Sequence, residues 1–141
     1  MILIGIDTGT HTGFAVYDTK TRKLIEVTSM KIHQAMYRVA EMNKLHTDIK
    51  IRVEDPRQRT WFGTERMSRE QERQKLQGVG SVKRDATIWD DYLKDLGVPY
   101  EMVPPRYNVT KRTSDIFKRY TGWTKPTNEH GRDAAGLIFG F

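Results

Sequence analysis

Apolar and polar positions follow two different periods along this chain, and the switches between them mark out its elements. Residues 2 to 7, Ile-Leu-Ile-Gly-Ile-Asp, are apolar almost without a break and end in an acid, the pattern of a central strand buried on both faces. Gly9 and Gly13 bracket a short turn. Phe14 to Tyr17 and Leu24 to Thr28 then read as two further strands separated by a polar turn, so the first three strands form an antiparallel meander. From Lys31 to about His46, the residues Ile32, Ala35, Met36, Val39 and Met42 recur at helical spacing, after which Ile49, Ile51 and Val53 alternate as a strand. A polar, basic, irregular stretch follows from Asp55 to Gln77, partly helical between Ser68 and Gln77. Gly80 and Ser81 open a helix that runs through Leu96, with Ser81 as its N-cap and Gly97 as its stop. Tyr100 to Val103 supplies a last strand, ended by Pro104 and Pro105. Two helices close the chain, over about 111–120 and about 129–139, the second apolar through Ala134, Ala135, Leu137 and Ile138.

This order predicts one α/β domain spanning residues 1–141, a mixed five-stranded sheet flanked by helices. Strands one to three run antiparallel. Strand four is joined to strand one through a crossover helix and so runs parallel to it, as does strand five.

Composition sharpens the picture. The chain of 141 residues is 37% hydrophobic and 30% charged, which reads as a soluble globular protein. No stretch approaches the roughly 18 apolar residues of a membrane span, and the N-terminus reads as a strand rather than a signal peptide. The absence of cysteine excludes disulfide frameworks and thiolate metal sites, and fits a reducing cytoplasm. The net charge is +6. It is unevenly spread: residues 57–84 hold eight Lys or Arg against three Glu, and residues 106–125 hold six against Asp115 alone. Two basic stripes on a neutral-to-acidic body suit a phosphate backbone, although solvated helix faces give the same pattern. Candidate DNA contacts are therefore Arg57, Arg59, Arg66, Arg69, Arg73, Lys83, Arg84, Lys111 and Arg112. Trp61 and Phe62, set among the first arginines, either stack on bases or pack as core aromatics under a loop.

Four side chains are candidates for chemistry. Asp7 ends the first strand and Glu54 the fourth, both acids terminating runs built for burial. If those strands are neighbours they lie roughly 4.8 Å apart, so both carboxylates can reach one ion. His130 and Asp133 stand three apart on the last helix and project from one face. Three carboxylates and an imidazole suit hard divalent ions, and a pair of such ions activates a water and stabilises the leaving oxygen in phosphodiester hydrolysis. Taken singly each residue has a plainer reading, as a turn former, a strand-end acid or an exposed helix start. His130 either ligates an ion or moves a proton, and spacing does not separate these roles. Gly78 and Gly80 are weak as a phosphate cradle, Asn108-Val109-Thr110 matches a glycosylation acceptor by chance, and His11, His33 and His46 read as surface or turn residues.

These residues also carry a family resemblance. Ile-Gly-Ile-Asp-Thr-Gly-Thr-His-Thr-Gly-Phe-Ala-Val resembles the first motif of RuvC-type Holliday junction resolvases of the RNase H-like superfamily. His130-Gly-Arg-Asp133-Ala-Ala-Gly-Leu is similar to that family's closing helix, Val53-Glu54 to its second acidic position, and Gly80 and Pro105 with Lys111 to its middle motifs. The resemblance spans nearly the whole chain. It implies that Asp7, Glu54, His130 and Asp133 bind two Mg2+ ions, or Mn2+, with Lys111 near the scissile phosphate. It also implies a branched DNA substrate, a homodimer cutting two strands symmetrically, no small-molecule cofactor and no membrane, in a bacterial or phage-infected cytoplasm. The segment Asp-Pro-Arg-Gln-Arg-Thr-Trp-Phe departs from the cellular enzymes, and the chain is shorter than theirs, more like a phage-type member.

Three other readings stand beside this one: an RNase H-like nuclease acting on RNA, flaps or other branches, a DNA-binding relative without catalysis, and an ATP-binding protein of the sugar-kinase and actin type. Asp-x-Gly-Thr occurs in the last group too, but that architecture needs two such domains and this chain has room for one.

Overall fold

The computed structural model describes residues 1–59, 68–105 and 112–141. Its strands are β1 (Ile2–Asp7), β2 (His11–Asp18), β3 (Lys23–Lys31), β4 (Ile49–Glu54) and β5 (Tyr100–Val103). Its helices are α1 (Ile32–Leu45), α2 (Arg69–Leu96), α3 (Ser114–Thr121) and α4 (Glu129–Gly136). The sheet order is β3-β2-β1-β4-β5; β1, β2 and β3 pair antiparallel, and β4 and β5 run parallel to β1. The expected mixed sheet is therefore the observed one, with β1 at its centre. Burial on both sides explains why the apolar run of β1 is continuous: Ile4 and Ile6 face one side and Leu3 the other, and both sides are covered.

Each face has its own core. On one, Ile4, Ile6, Phe14, Val16, Ile51 and Val53 pack against Ala35 and Val39 of α1 and Trp89 and Leu93 of α2. On the other, Leu3, Ala15, Tyr17 and Val27 pack against Phe117 of α3 and Ala134, Ala135 and Ile138 in and after α4. The second face admits α4 at unusually short range, because β1 and β2 present glycines beneath it. An added Cβ on Gly5 would overlap the Ala134 carbonyl, and one on Gly13 would lie 2.7 Å from the carbonyl carbon of His130 and 2.9 Å from the Cβ of Asp7.

The longest helix differs from expectation. Gly80 and Ser81 do not open it; α2 starts at Arg69 and runs unbroken through both. Its start is a capping box in which Ser68 accepts from the Gln71 N–H while the Gln71 side chain accepts from the Ser68 N–H. At 28 residues it is roughly 42 Å long. Its second half buries Asp85, Ala86, Trp89 and Leu93, whereas no residue between Ser68 and Gln77 is buried. The first half therefore projects past the sheet. Among the described residues no helix is long and apolar enough to cross a membrane.

Candidate active site

Strand alternation decides where the candidate acids point. Asp7 follows Leu3 and Gly5 by even steps, and Glu54 follows Arg52, so all of them belong to the face covered by α3 and α4. β1 and β4 pair in parallel from Ile2↔Ile49 to Ile6↔Val53, so Asp7 and Glu54 leave the sheet side by side at its C-terminal edge. α4 brings the other two. Asn128 caps it, accepting from the Gly131 N–H at 2.8 Å and donating to Ser29 Oγ of β3 at 2.6 Å. That double use of one side chain ties the helix start to the sheet. His130 Nδ1 comes within 3.4 Å of Asp7 Oδ2, and the ring of His11 lies 6.0 Å from that of His130.

Asp7, Glu54, His130 and Asp133 all line one cleft of about 780 Å³. Its other walls are Thr8, Arg59, the α2 residues Lys75, Gly78, Val79 and Val82, the Pro104-Pro105 segment, and Arg112 and Arg132. Lys75, Gly78, Val79 and Val82 fall on one helical stripe, so the projecting half of α2 forms a wall over the end of the sheet. The structure thus gathers the four residues expected to share a site. Among the described residues, no group of three or more His, Asp or Glu side chains stands close enough together to hold a metal ion as placed. In kind the donors fit a hard divalent cation: three carboxylates and one imidazole open on the same space, with basic groups around them.

The chain leaving Glu54 is clamped. Asp55, 3% exposed, takes two hydrogen bonds from the Arg57 guanidinium at 2.8 and 2.9 Å and one from Gln58 Nε2 at 3.2 Å. Arg57 also donates to Asp90 of α2 at 3.0 Å, and Asp90 accepts from the Tyr100 hydroxyl at 2.5 Å. Burial pushes the Asp55 carboxyl up, but the hydrogen bonds from Arg57 and Gln58 outweigh it and hold it below the usual 3.8. The Tyr100 hydrogen bond likewise lowers Asp90, and Asp90 in turn pushes Tyr100 up to about 12. Arg57 stays cationic throughout, held by Asp55 and Asp90. Its guanidinium joins β4 to α2, which makes this expected phosphate contact a part of the scaffold.

The remaining expected contacts divide by position. Arg59 and Arg112 line the cleft. Arg69 and Arg73 lie on the exposed first turns of α2, where Arg73 pairs with Glu70, and Lys83 and Arg84 lie further along it. Trp61, Phe62, Arg66 and Lys111 lie outside the described residues. Three cleft residues escape sequence reasoning. Lys75 is hidden by the expected break in α2, whose continuous stripe would have revealed it. Arg52 stands two residues before Glu54 and so shares its face. Arg132, between His130 and Asp133, donates to the carbonyls of Arg112 at 3.0 Å and Thr127 at 3.2 Å and so pins the α3 entry to α4.

No protein-family model matches the chain, and no curated protein is similar to it in sequence. Among solved structures, it is similar to the RuvC of T. thermophilus in complex with a Holliday junction substrate, at a TM-score of 0.58 and 18% identity, over 97% of this chain and 90% of that one. The match extends over nearly the whole chain, and so the chain, with its mixed five-stranded sheet, has a RuvC-like fold of the RNase H-like type.

Proposed function

We propose that this chain is a divalent-metal-dependent nuclease that hydrolyses phosphodiesters in branched DNA, with the four-way junction as its substrate. One observation carries the reading: on a RuvC-like fold, Asp7, Glu54, His130 and Asp133 open on a single cleft walled by Arg59, Lys75 and Arg112. Asp7, Glu54 and Asp133, with His130, would hold Mg2+ or Mn2+, which supplies Lewis-acid stabilisation of the leaving oxygen and a water acidic enough to attack at neutral pH. The side chains of the chain itself do the rest. Arg59, Lys75 and Arg112 hold the strand by its phosphates, a charge-based grip that is independent of base identity. Asp7 faces the His130 ring and orients it. For Lys111, and for Trp61 or Phe62, which lie outside the described residues, the family resemblance suggests contact with the scissile phosphate and with bases near the branch. A two-fold pair of such chains presents two identical clefts to a symmetric junction.

The test is strand cleavage of a labelled four-way junction, with matched linear duplex, flap and RNA–DNA hybrid, with Mg2+, with Mn2+ and with EDTA. The expected result is a symmetric pair of nicks in the junction that EDTA abolishes. Cutting confined to the flap or the hybrid replaces the substrate but keeps the chemistry. No metal-dependent cutting of any of them overturns the proposal.

A further inference from the structure

The cleft does not end at the carboxylates. Asp133 is followed along α4 and its terminal turn by Phe139, roughly 9 Å further on by helical rise. On β4, Arg52 lies two residues before Glu54, roughly 6.6 Å back along the strand on the same face. Both steps lead to the same end of the cleft, which is built differently from the acidic end. There Tyr120, 54% exposed, packs edge-on against Phe139 with ring centroids 5.1 Å apart. The guanidinium of Arg112 lies over the Tyr120 ring at 4.1 Å, and that of Arg52 lies over Phe141 at 4.4 Å. Two arginine–aromatic pairs thus face one space, with Arg132 behind them.

The chemistry of such pairs selects what can cover them. A flat cation stacked on a ring offers a broad plane to another π-system and N–H edges to an anion. An alkyl chain would use the plane and waste the charge; a bare phosphate would use the charge and waste the rings. A nucleotide whose base is unpaired uses both.

We propose that this end of the cleft is a subsite for an unpaired nucleobase, which stacks on the Arg112–Tyr120 pair; Arg52 is fixed beside it by Glu101 at 2.6 Å and the Leu137 carbonyl at 2.8 Å, and Arg132 by the Arg112 and Thr127 carbonyls. The subsite rests on the nuclease reading above and deepens it. At roughly 3.4 Å of axis per nucleotide of one strand, the base it takes is about two or three nucleotides from the phosphate at the carboxylates. The favoured DNA is consequently one that opens beside the cut, such as the centre of a branch, and not an uninterrupted duplex.

The experiment compares a short blunt duplex with the same duplex carrying a single-stranded extension that contains 2-aminopurine, both in EDTA so that nothing is cut. Binding is read by anisotropy and stacking by quenching of the 2-aminopurine. Wild type should prefer the extended DNA and quench its fluorescence. Tyr120→Ala should lose about 5- to 150-fold of that preference, the value of one base–aromatic stack, together with the quench. Tyr120→Phe keeps the ring and should keep both. Because Tyr120 is more than half exposed, the alanine variant retains the core, which a thermal melt checks. Equal affinity of wild type for the two DNAs, or an undiminished preference and quench in Tyr120→Ala, overturns the subsite while leaving the nuclease reading intact. A wild type that binds neither DNA overturns the subsite, and the nuclease reading falls with it only if the junction is not cut with Mg2+ or Mn2+ either.

Discussion

Gly13 is where the fold and the candidate site meet, and replacing it by alanine puts the geometry to a quantitative test. It pairs with Asp7 across β1 and β2, and it lies under the backbone of His130. An alanine Cβ would overlap the His130 carbonyl oxygen and sit 2.7 Å from its carbon and 2.9 Å from the Asp7 Cβ, where carbon atoms ordinarily stay about 3.5–4.0 Å apart. Neither neighbour is the loose end of a side chain. The first turn of α4 must therefore retreat by roughly 1 Å, carrying His130 and Asp133 away from Asp7. Overpacking of this kind costs about 1–3 kcal/mol, and for a chain of this size that lowers Tm by roughly 3–10 °C. A misplacement of about 1 Å costs on the order of 10²-fold in rate. Gly13→Ala should thus fold, bind junction DNA through the basic walls as wild type does, and cut it about 10²-fold more slowly. Calorimetry, binding and single-turnover cleavage read the three separately. A variant with wild-type Tm and full cleavage would refute the close seating of α4 on the sheet.

Other perturbations have equally definite outcomes. Gly80→Ala, in an exposed part of α2 with nothing within 4 Å of the new Cβ, should raise stability by about 1 kcal/mol in a denaturant melt; a loss would mean that the helix is broken there. Asp55→Asn removes one partner of a buried pair, an effect of about 3–5 kcal/mol that exposure of Arg57 to solvent reduces to roughly 2–3 kcal/mol. Because Asp55 and Asp90 titrate below 3.8 in the folded chain, the stability they contribute is fully present above about pH 4 and is lost as pH falls through their lowered values. The Asn variant should flatten that acid limb, and an unchanged limb would remove Asp55 from the clamp. At the other extreme Tyr100 contributes below about pH 10 and loses its contribution as pH rises through about 12. Lys75→Ala and Arg59→Ala should each reduce the salt slope of DNA binding by about 0.9, whereas Arg57→Ala should cost stability and leave the slope alone; a reversed pattern would reassign the cleft walls.

How much of this is legible in the sequence depends on whether one stretch of chain carries its own signal. β1 stands out because both of its faces are buried, and β5 because two prolines end it. The carboxylates stand out because an acid at the end of a buried strand is conspicuous, and the parallel strands follow from two helical crossovers, α1 and α2. The start of α2 is hidden for a physical reason: its first half buries nothing, so no apolar period marks it, and two glycines there suggest a boundary that the helix ignores. The capping signature Ser68-x-x-Gln71 is what marks the true start. Arg57 shows the opposite limit. Its charge is visible in the sequence, but its partner Asp90 lies 33 residues away, and only the packing of α2 on β4 brings the two together. Lys75, Arg52 and Arg132 belong to the same class, since a cleft wall is a property of several elements at once.

The most direct test of the central claim is anomalous diffraction from crystals of the protein grown with Mn2+. The account predicts anomalous density at the C-terminal edge of β1 and β4, within ligand distance of carboxylate oxygens from Asp7, Glu54 and Asp133. A well-occupied manganese elsewhere, with this cleft empty at saturating metal, would contradict it.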